Sequence, residues 1–168
     1  FLNKFKNCQI DIGGQNCHEN ENFGPYTGYV NSRMLKNIGA NYVIIGHSEN
    51  REKGENNKLI NLKIKSALKA KLKVIFCIGE TTIDKRKRRT RSILSKQIKV
   101  GLSKIKNKRN VFIAYEPVWA IGTGIIPKSK DLLKTIKFIK SKFKDKSQKV
   151  LYGGSVNPQN IKNLKEIN

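Results

Sequence analysis

Short apolar segments recur along this 168-residue chain and constrain its fold more than any other feature. Five of them, rich in β-branched residues, cover residues 8–13, 42–46, 73–79, 111–115 and 149–152. From the second onward nearly every position is apolar, which is typical of strands buried on both faces of a parallel sheet. The last four recur about every thirty to forty residues, and this spacing leaves room for a helix after each strand.

Helical patterns occupy that room. Apolar side chains spaced for one helix face lie within 59–68, including Leu62, and within 93–102 and 132–139. Pro158 is expected to start a last helix, with Asn157 as its cap. The alternation predicts a single α/β domain over 1–168, with a parallel sheet that is either open or closed into a barrel. Periodicity alone does not choose between the two.

The net charge of +23 would by itself suggest a nucleic-acid-binding protein, because 35 basic residues face 12 acidic ones. The lysines are dispersed, however, and are not interleaved with aromatic residues, which favours solvated helix faces. The densest basic run, 85–91, could bind an anionic surface. We expect it instead to be a solvated loop that leads into a helix.

The cysteines and the apolar runs of the sequence indicate the cellular compartment of the protein. The three cysteines are an odd number without a Cys-x-x-Cys pair, so neither a disulfide framework nor a zinc site is predicted. No apolar run is long enough to span a bilayer, and no signal peptide is recognisable. Reduced thiols and a cytoplasmic location are therefore expected.

Two of the predicted strands end in side chains suited to proton transfer, and such ends form the active sites of parallel α/β folds. His47 follows one strand and precedes a helix, whose N-terminus disfavours imidazolium, so a neutral imidazole could donate to a carbonyl. Taken alone, His47 fits better a structural histidine at a strand end, whose ring is hydrogen-bonded to backbone groups, than a catalytic one. Glu116 follows the strand over 111–115 and is a candidate general base.

A stiff segment and then a flexible one come directly after Glu116. This pattern predicts a lid that moves as a unit about its ends, although a turn with a packed tryptophan is the alternative. The lid residues are Pro117, Val118, Trp119, Ala120, Ile121, Gly122, Thr123 and Gly124. At the last strand end, Gly153, Gly154 and Ser155 could bring N–H and hydroxyl donors to an anion, though many tight turns look the same. A base, a neutral electrophile, an anion site and a lid together suit proton abstraction next to a carbonyl.

Three motifs carry a resemblance to a known family. They are Gly46-His47-Ser48-Glu49, the uninterrupted stretch from Tyr115 through Glu116 to Gly124, and Tyr152-Gly153-Gly154-Ser155. In this order and at these separations they resemble the triosephosphate isomerase family. Gln15-Asn16-Cys17, Thr27-Gly28 and Cys77-Ile78-Gly79-Glu80-Thr81 are also similar to it, so that the resemblance spans nearly the whole chain.

The resemblance implies a (β/α)₈ TIM barrel and the interconversion of dihydroxyacetone phosphate and glyceraldehyde 3-phosphate, a step of glycolysis and gluconeogenesis. The family is itself a standard example of a glutamate base with a neutral histidine. It implies Glu116 as base, His47 as electrophile and Glu49 as a supporting carboxylate. It assigns the substrate phosphate to the N–H of Gly122 and to Ser155, beside Gly153 and Gly154. It implies no metal or cofactor, and a homodimer in which a loop over 15–28 inserts into the partner.

The chain departs from the family in ways that bear on activity. Asn50 replaces the first of two arginines, and Tyr29 stands where a glutamate is common, which affects the expected dimer contacts. A complete barrel of this type takes ~250 residues, and about five of its eight βα units are recognised in these 168. The first strands, with their Asn-x-Lys motif, and the last strand, with a glycine pair, have no counterpart. Little or no activity is therefore expected of these 168 residues alone.

Two other functions remain as alternatives. Another phosphate-binding barrel enzyme, such as an aldolase, would need a different base or a strand-end lysine, which is lacking here. A basic nucleic-acid-binding module would use the run over 85–91 and leaves the lid sequence unexplained.

Overall fold

The computed structural model describes residues 10–124, 126–145 and 147–165. Parallel strands alternate with helices, as the apolar pattern predicts, and the strands follow one another in the sheet in chain order. The strands are β1 (Gly13–Gly14), β2 (Tyr42–Ile45), β3 (Lys73–Ile78), β4 (Val111–Tyr115) and β5 (Val150–Tyr152). The helices are α1 (Ser32–Asn37), α2 (Ser48–Glu52), α3 (Asn57–Lys69), α4 (Thr82–Arg86), α5 (Thr90–Gly101), α6 (Ser129–Lys140) and α7 (Ile161–Lys165), with a 3₁₀ turn at Val118–Ala120.

The first strand differs from its prediction. Of the predicted segment 8–13, residues 8 and 9 lie outside the described part, and strand pairing proper begins only at Gly13, which lies opposite Tyr42. The carbonyl of Ile12 nevertheless accepts from the N–H groups of Asn41 and Tyr42, at 2.8 and 3.2 Å. Gly13 and Gly14 pair in register with β2, so β1 is two residues long.

One compact unit comprises residues 1–76 and 100–112, and we call it the first unit. Its core contains Val43, Ile60, Ile64, Val74 and Phe76, none of which is exposed. Ile60, Ile64 and Ala67 follow the helical spacing on α3 and form its buried face. The prediction that Leu62 belongs to that face is wrong: its side chain is 51% exposed, because two residues along a helix turn it away from Ile60.

The second unit comprises residues 77–99 and 113–168. In it β4 and β5 pair in parallel, with Ile113 opposite Val150 and Tyr115 opposite Tyr152. Helix α6 packs against β5, and its residues Leu132 and Ile139 are buried. No helix among the described residues has the length and hydropathy needed to cross a membrane.

The basic run over 85–91 has more structure than the predicted loop. Its first two residues end α4, a helix that begins with a capping box between Thr81 and Asp84, and α5 begins at Thr90. Hydrogen bonds from Thr81 lower the pKa of Asp84, because they favour its ionised form. Apart from half-buried Thr90, the run is exposed, as expected.

The last helix also starts later than predicted. The Asn157 side chain accepts from the N–H of Asn160 at 2.9 Å, so it does cap a turn. That turn covers residues 158–160, and α7 begins after it at Ile161.

Candidate active site

The Glu116 carboxylate lies just beyond β4 and is buried, with 7% of the residue exposed. Its N–H donates to the carbonyl of Ile78 at 2.8 Å, which continues the pairing of β4 beyond Tyr115. Two glycines make this position possible. A Cβ on Gly79 would lie 1.7 Å from the Glu116 carbonyl oxygen, and one on Gly153 would lie 2.7 Å from its Cγ. Glycine therefore creates the space that the Glu116 backbone and side chain occupy.

Gln97 on α5 fixes the backbone of Gly79. Its side-chain amide accepts from the N–H of Gly79 and donates to the carbonyl of the same residue, both at 2.9 Å. A glycine loop next to Glu116 is thus held by two hydrogen bonds from a buried side chain.

A second glutamate, Glu80, follows β3 in the same unit and is completely buried. Its carboxylate accepts from the Tyr115 hydroxyl, 3.2 Å from each oxygen, and from the Trp119 indole N–H at 2.9 Å. Its carbonyl accepts from the N–H of Val118 at 3.1 Å. Burial first, and then the Glu80 carboxylate, raise the pKa of Tyr115, so this phenol stays protonated and acts as a donor.

Glu80 is a buried carboxylate of the candidate site that sequence reasoning did not single out. Its motif is similar to the family's, but the motif alone gives this carboxylate no role. A signal is nevertheless present, because Glu80 stands just beyond a buried strand in the same way as Glu116 does.

The segment 117–124, called the lid segment below, differs in burial and backbone conformation between its two parts. Pro117 and Ala120 are buried, and Trp119 is anchored on Glu80. Gly122 and Gly124 are exposed and have φ of +69° and +71°, a conformation that other residues rarely adopt. The first part is therefore packed, whereas the second is set by glycine. That this segment moves as a lid stays a prediction.

The predicted phosphate cluster forms other contacts in this structure. The Ser155 hydroxyl donates to the Ala120 carbonyl at 2.8 Å and so ties the end of β5 to the lid segment. The N–H of Gly153 donates to the carbonyl of Tyr115 at 2.9 Å and thereby belongs to strand pairing. A Cβ on Gly154 would lie 2.1 Å from the Tyr152 hydroxyl. Burial raises the pKa of Tyr152, whose hydroxyl has no hydrogen-bond partner among the described residues.

His47 lies in the first unit, directly after β2 and Gly46, and is the N-cap of α2. Its Nδ1 accepts from the N–H of Glu49 at 3.4 Å. A neutral imidazole with Nδ1 as acceptor carries its proton on Nε2, which is then the donor. The Glu49 carboxylate is exposed and its Oε2 lies 3.9 Å from Nδ1.

The first unit also contains a buried polar cluster that the sequence pattern does not single out. The Lys63 ammonium forms an ion pair with Glu55, and Asn16 donates to Oε1 of Glu55 at 2.9 Å. The Glu55 Oε2 is buried and has no partner among the residues that the structure describes. These side chains line a cavity of ≈ 570 Å³ together with His18, Tyr29 and Asn50.

The predicted site residues thus fall into two groups. The second unit brings Glu116, the two glycines, Ser155 and the lid segment together, and adds Glu80. The first unit places His47 beside Glu49. Within the described ranges no three His, Cys, Asp or Glu side chains are grouped so as to hold a metal ion.

Comparison with known proteins decides the family. The family model described as triosephosphate isomerase matches residues 1–168. The chain belongs to the triosephosphate isomerase family. The triosephosphate isomerase of Thermodesulfovibrio yellowstonii is 45% identical over 168 residues, which cover 96% of this chain and 68% of that protein. The triosephosphate isomerase of Geotalea uraniireducens is 42% identical, with the same two shares.

A solved structure agrees with the sequence matches. The crystal structure of triosephosphate isomerase from Bartonella henselae superposes with a TM-score of 0.83 at 36% identity, and covers 94% of this chain and 65% of that one. The chain therefore spans about two thirds of the length of the relatives that it matches. The predicted family, the isomerase class and the partial barrel with five parallel strands are confirmed.

Proposed function

We propose that the protein containing this chain interconverts dihydroxyacetone phosphate and glyceraldehyde 3-phosphate, with Glu116 as the base. The Glu116 carboxylate would take a proton from the carbon next to the substrate carbonyl and return it to the neighbouring carbon. The burial of this carboxylate beside Gly153 and the lid segment is the observation that carries the proposal. A shielded base protects an enediolate from water.

His47 would act as the electrophile in this reaction. Its Nδ1 accepts from the α2 backbone, so a neutral imidazole carries its proton on Nε2 and would donate a hydrogen bond from there to the substrate oxygen on which charge develops. The exposed Glu49 carboxylate, 3.9 Å from Nδ1 of His47, would be a supporting negative charge beside the imidazole.

Ser155 and the N–H of Gly122 would hold the substrate phosphate. At present the Ser155 hydroxyl donates to the Ala120 carbonyl, so phosphate binding requires it to exchange this partner for a phosphate oxygen. Such an exchange would couple substrate binding to the position of the lid segment.

The reaction in deuterated water tests the proposal. The natural protein is incubated with dihydroxyacetone phosphate in D₂O, and deuterium in the substrate and product is followed by NMR. Proton transfer through a carboxylate that exchanges with solvent predicts deuterium at the hydroxymethyl carbon of dihydroxyacetone phosphate and at the carbon next to the aldehyde in glyceraldehyde 3-phosphate. An aldolase would instead exchange deuterium into dihydroxyacetone phosphate without forming glyceraldehyde 3-phosphate, and that result would contradict the proposal.

We also propose that the protein forms a homodimer through the first unit. Phe23 and Tyr29 are 70% and 66% exposed, and Tyr29 lines the cavity that contains the unpartnered Glu55 oxygen. A second copy would cover these rings. Phe23→Asp should then shift sedimentation toward the monomer, whereas Ile83→Asp, which changes a similarly exposed residue of the second unit, should not. A monomeric natural protein would contradict this proposal.

The two described cysteines, Cys17 and Cys77, are buried and not joined in a disulfide, which supports a reducing compartment. A cytoplasmic location is proposed on that ground.

A further inference from the structure

A pocket of ≈ 290 Å³ lies in the second unit, where the end of α4 and the start of α5 face α6. Three cations line it, one from each helix: Lys85, Arg91 and Lys134. Thr90 and Thr135 add two hydroxyl groups. Neither Glu116 nor Ser155 belongs to this lining, so the pocket is separate from the candidate active site.

The charge of this pocket is unbalanced. Asp131 supplies its one carboxylate, against three cations. Among the residues that the structure describes, the Lys134 ammonium has no ion-pair partner, and the Asp131 carboxylate has none either. Three like charges that line one concave surface repel one another, and a bound anion removes that repulsion.

The lining groups match phosphate oxygens. A guanidinium binds them as a planar fork, ammonium groups bind them as point charges, and the Thr90 hydroxyl can donate one hydrogen bond. The Thr135 hydroxyl already donates to the carbonyl of Asp131 at 2.9 Å. A pocket of this volume has room for a small molecule that carries two or three phosphate groups.

The aromatic ring beside the pocket argues against a nucleic acid. Phe138 has the Arg91 guanidinium carbon 5.3 Å from its ring centroid and the Lys142 ammonium 4.4 Å from it. With these cations over the ring, it is not free to stack on a base, and base stacking is what nucleic-acid grooves add to phosphate contacts.

We propose that this basic pocket binds a small polyphosphate anion, and that its occupancy is sensed by the lid segment through Lys85. The Lys85 ammonium lines the pocket and also lies 4.6 Å from the ring centroid of Trp119. An anion that draws the ammonium toward itself weakens its interaction with the indole, because the same charge cannot serve both partners fully. Trp119 is the one tryptophan of these 168 residues.

Titration of the natural protein with inorganic tripolyphosphate tests this inference. Calorimetry should show saturable binding, and the Trp119 fluorescence should change along the same isotherm. Lys134→Gln and Arg91→Gln should each weaken binding about tenfold, because each removes a charged phosphate contact. The matched control is Lys87→Gln, which removes the same charge from an exposed residue of the basic run outside the pocket. It should change affinity less than about twofold.

Three outcomes would overturn the inference. Equal losses in Lys87→Gln and Lys134→Gln would mean diffuse attraction to the net charge. Loss of binding in Ser155→Ala, with none in Lys134→Gln, would place the anion at the candidate active site instead. A single-stranded oligonucleotide that binds more tightly than tripolyphosphate at equal phosphate concentration, and is displaced only by salt, would identify a nucleic-acid surface.

Discussion

The ends of β3 and β4 each carry a buried glutamate, and the two glutamates are built differently. Glu80, after β3, accepts from a tyrosine hydroxyl and an indole N–H. Glu116, after β4, lies against glycines that would clash with it if they carried a side chain. Two hydrogen-bond donors hold the first carboxylate, and the lack of side chains on Gly79 and Gly153 makes the space for the second glutamate. Both glutamates are buried, so burial alone does not separate the anchoring role that we expect of Glu80 from the reacting role proposed for Glu116.

Replacement of Glu116 tests the reacting side of this comparison and has the largest expected effect. Glu116→Gln keeps the shape of the side chain but removes its ability to take a proton. We expect kcat for triose phosphate isomerisation to fall about 10³-fold, within the range for loss of a general base. Steady-state kinetics measures this. Glu52→Gln, a change of an exposed glutamate on α2, should leave kcat unchanged. If Glu116→Gln kept more than a tenth of the rate, Glu116 would not be the base.

The space around Glu116 is tested by Gly153→Ala. The added methyl group would lie 2.7 Å from the Glu116 Cγ, part of a flexible side chain that can move, so the carboxylate is displaced while the fold survives. Misplacement of a reacting group costs about 10²-fold in rate. We expect kcat to fall by that factor, and the midpoint of urea unfolding to change little. A large loss of stability with normal kcat per folded molecule would contradict this explanation.

The anchoring side of the comparison is tested by Glu80→Gln together with Trp119→Phe. A neutral amide accepts more weakly than a carboxylate, so the lid segment should be held less firmly, and kcat/KM should fall about tenfold. Because the two changes disrupt the same hydrogen bond, the double variant should lose less than the sum of the two single losses. Additive losses would show that Glu80 does not act through Trp119.

Cys17 tests whether burial suppresses the reactivity of a thiol when no hydrogen-bond donor stabilises its thiolate. This test has the smallest expected effect. Burial raises the pKa of its thiol from 9.0 to about 12, in spite of the nearby Lys63 ammonium. The thiolate is therefore scarce near pH 8, and iodoacetamide should modify Cys17 only after unfolding. Mass spectrometry of the Cys8→Ser, Cys77→Ser variant measures this.

The raised pKa of Cys17 also makes the stability of the folded protein depend on pH. The unfolded thiol ionises near pH 9 and the folded one near pH 12, so its contribution to stability is fully present below pH 9 and is lost between these values. Cys17→Ser should remove that part of the alkaline fall in stability. An identical pH profile for both proteins would contradict it.

Much of the fold and of the candidate site could be predicted from local sequence. The strands β2 to β5 appear where the apolar runs place them, although no residue of β5 is buried. The helices α3, α5 and α6 appear where apolar spacing places them, because a buried helix face imposes a period on the chain. Leu62 shows where this fails, since apolar residues also occur at solvent-exposed positions. The short helix α4 was missed because its capping box and its charges outweigh a weak apolar pattern.

The order of residues alone settles which side chains stand at the strand ends, namely His47, Glu116 and the glycine pair, because a strand fixes the position of the residues directly after it. Folding in three dimensions sets which partner each of these residues meets. The Glu80 carboxylate receives the Trp119 indole, Gly153 makes room for Glu116, and the Ser155 hydroxyl reaches the Ala120 carbonyl. The hydrogen-bonded pairs among these are 39 and 35 positions apart in the chain. Spacing along the chain carries no information about such contacts, since their partners are set by how neighbouring strands pair and pack.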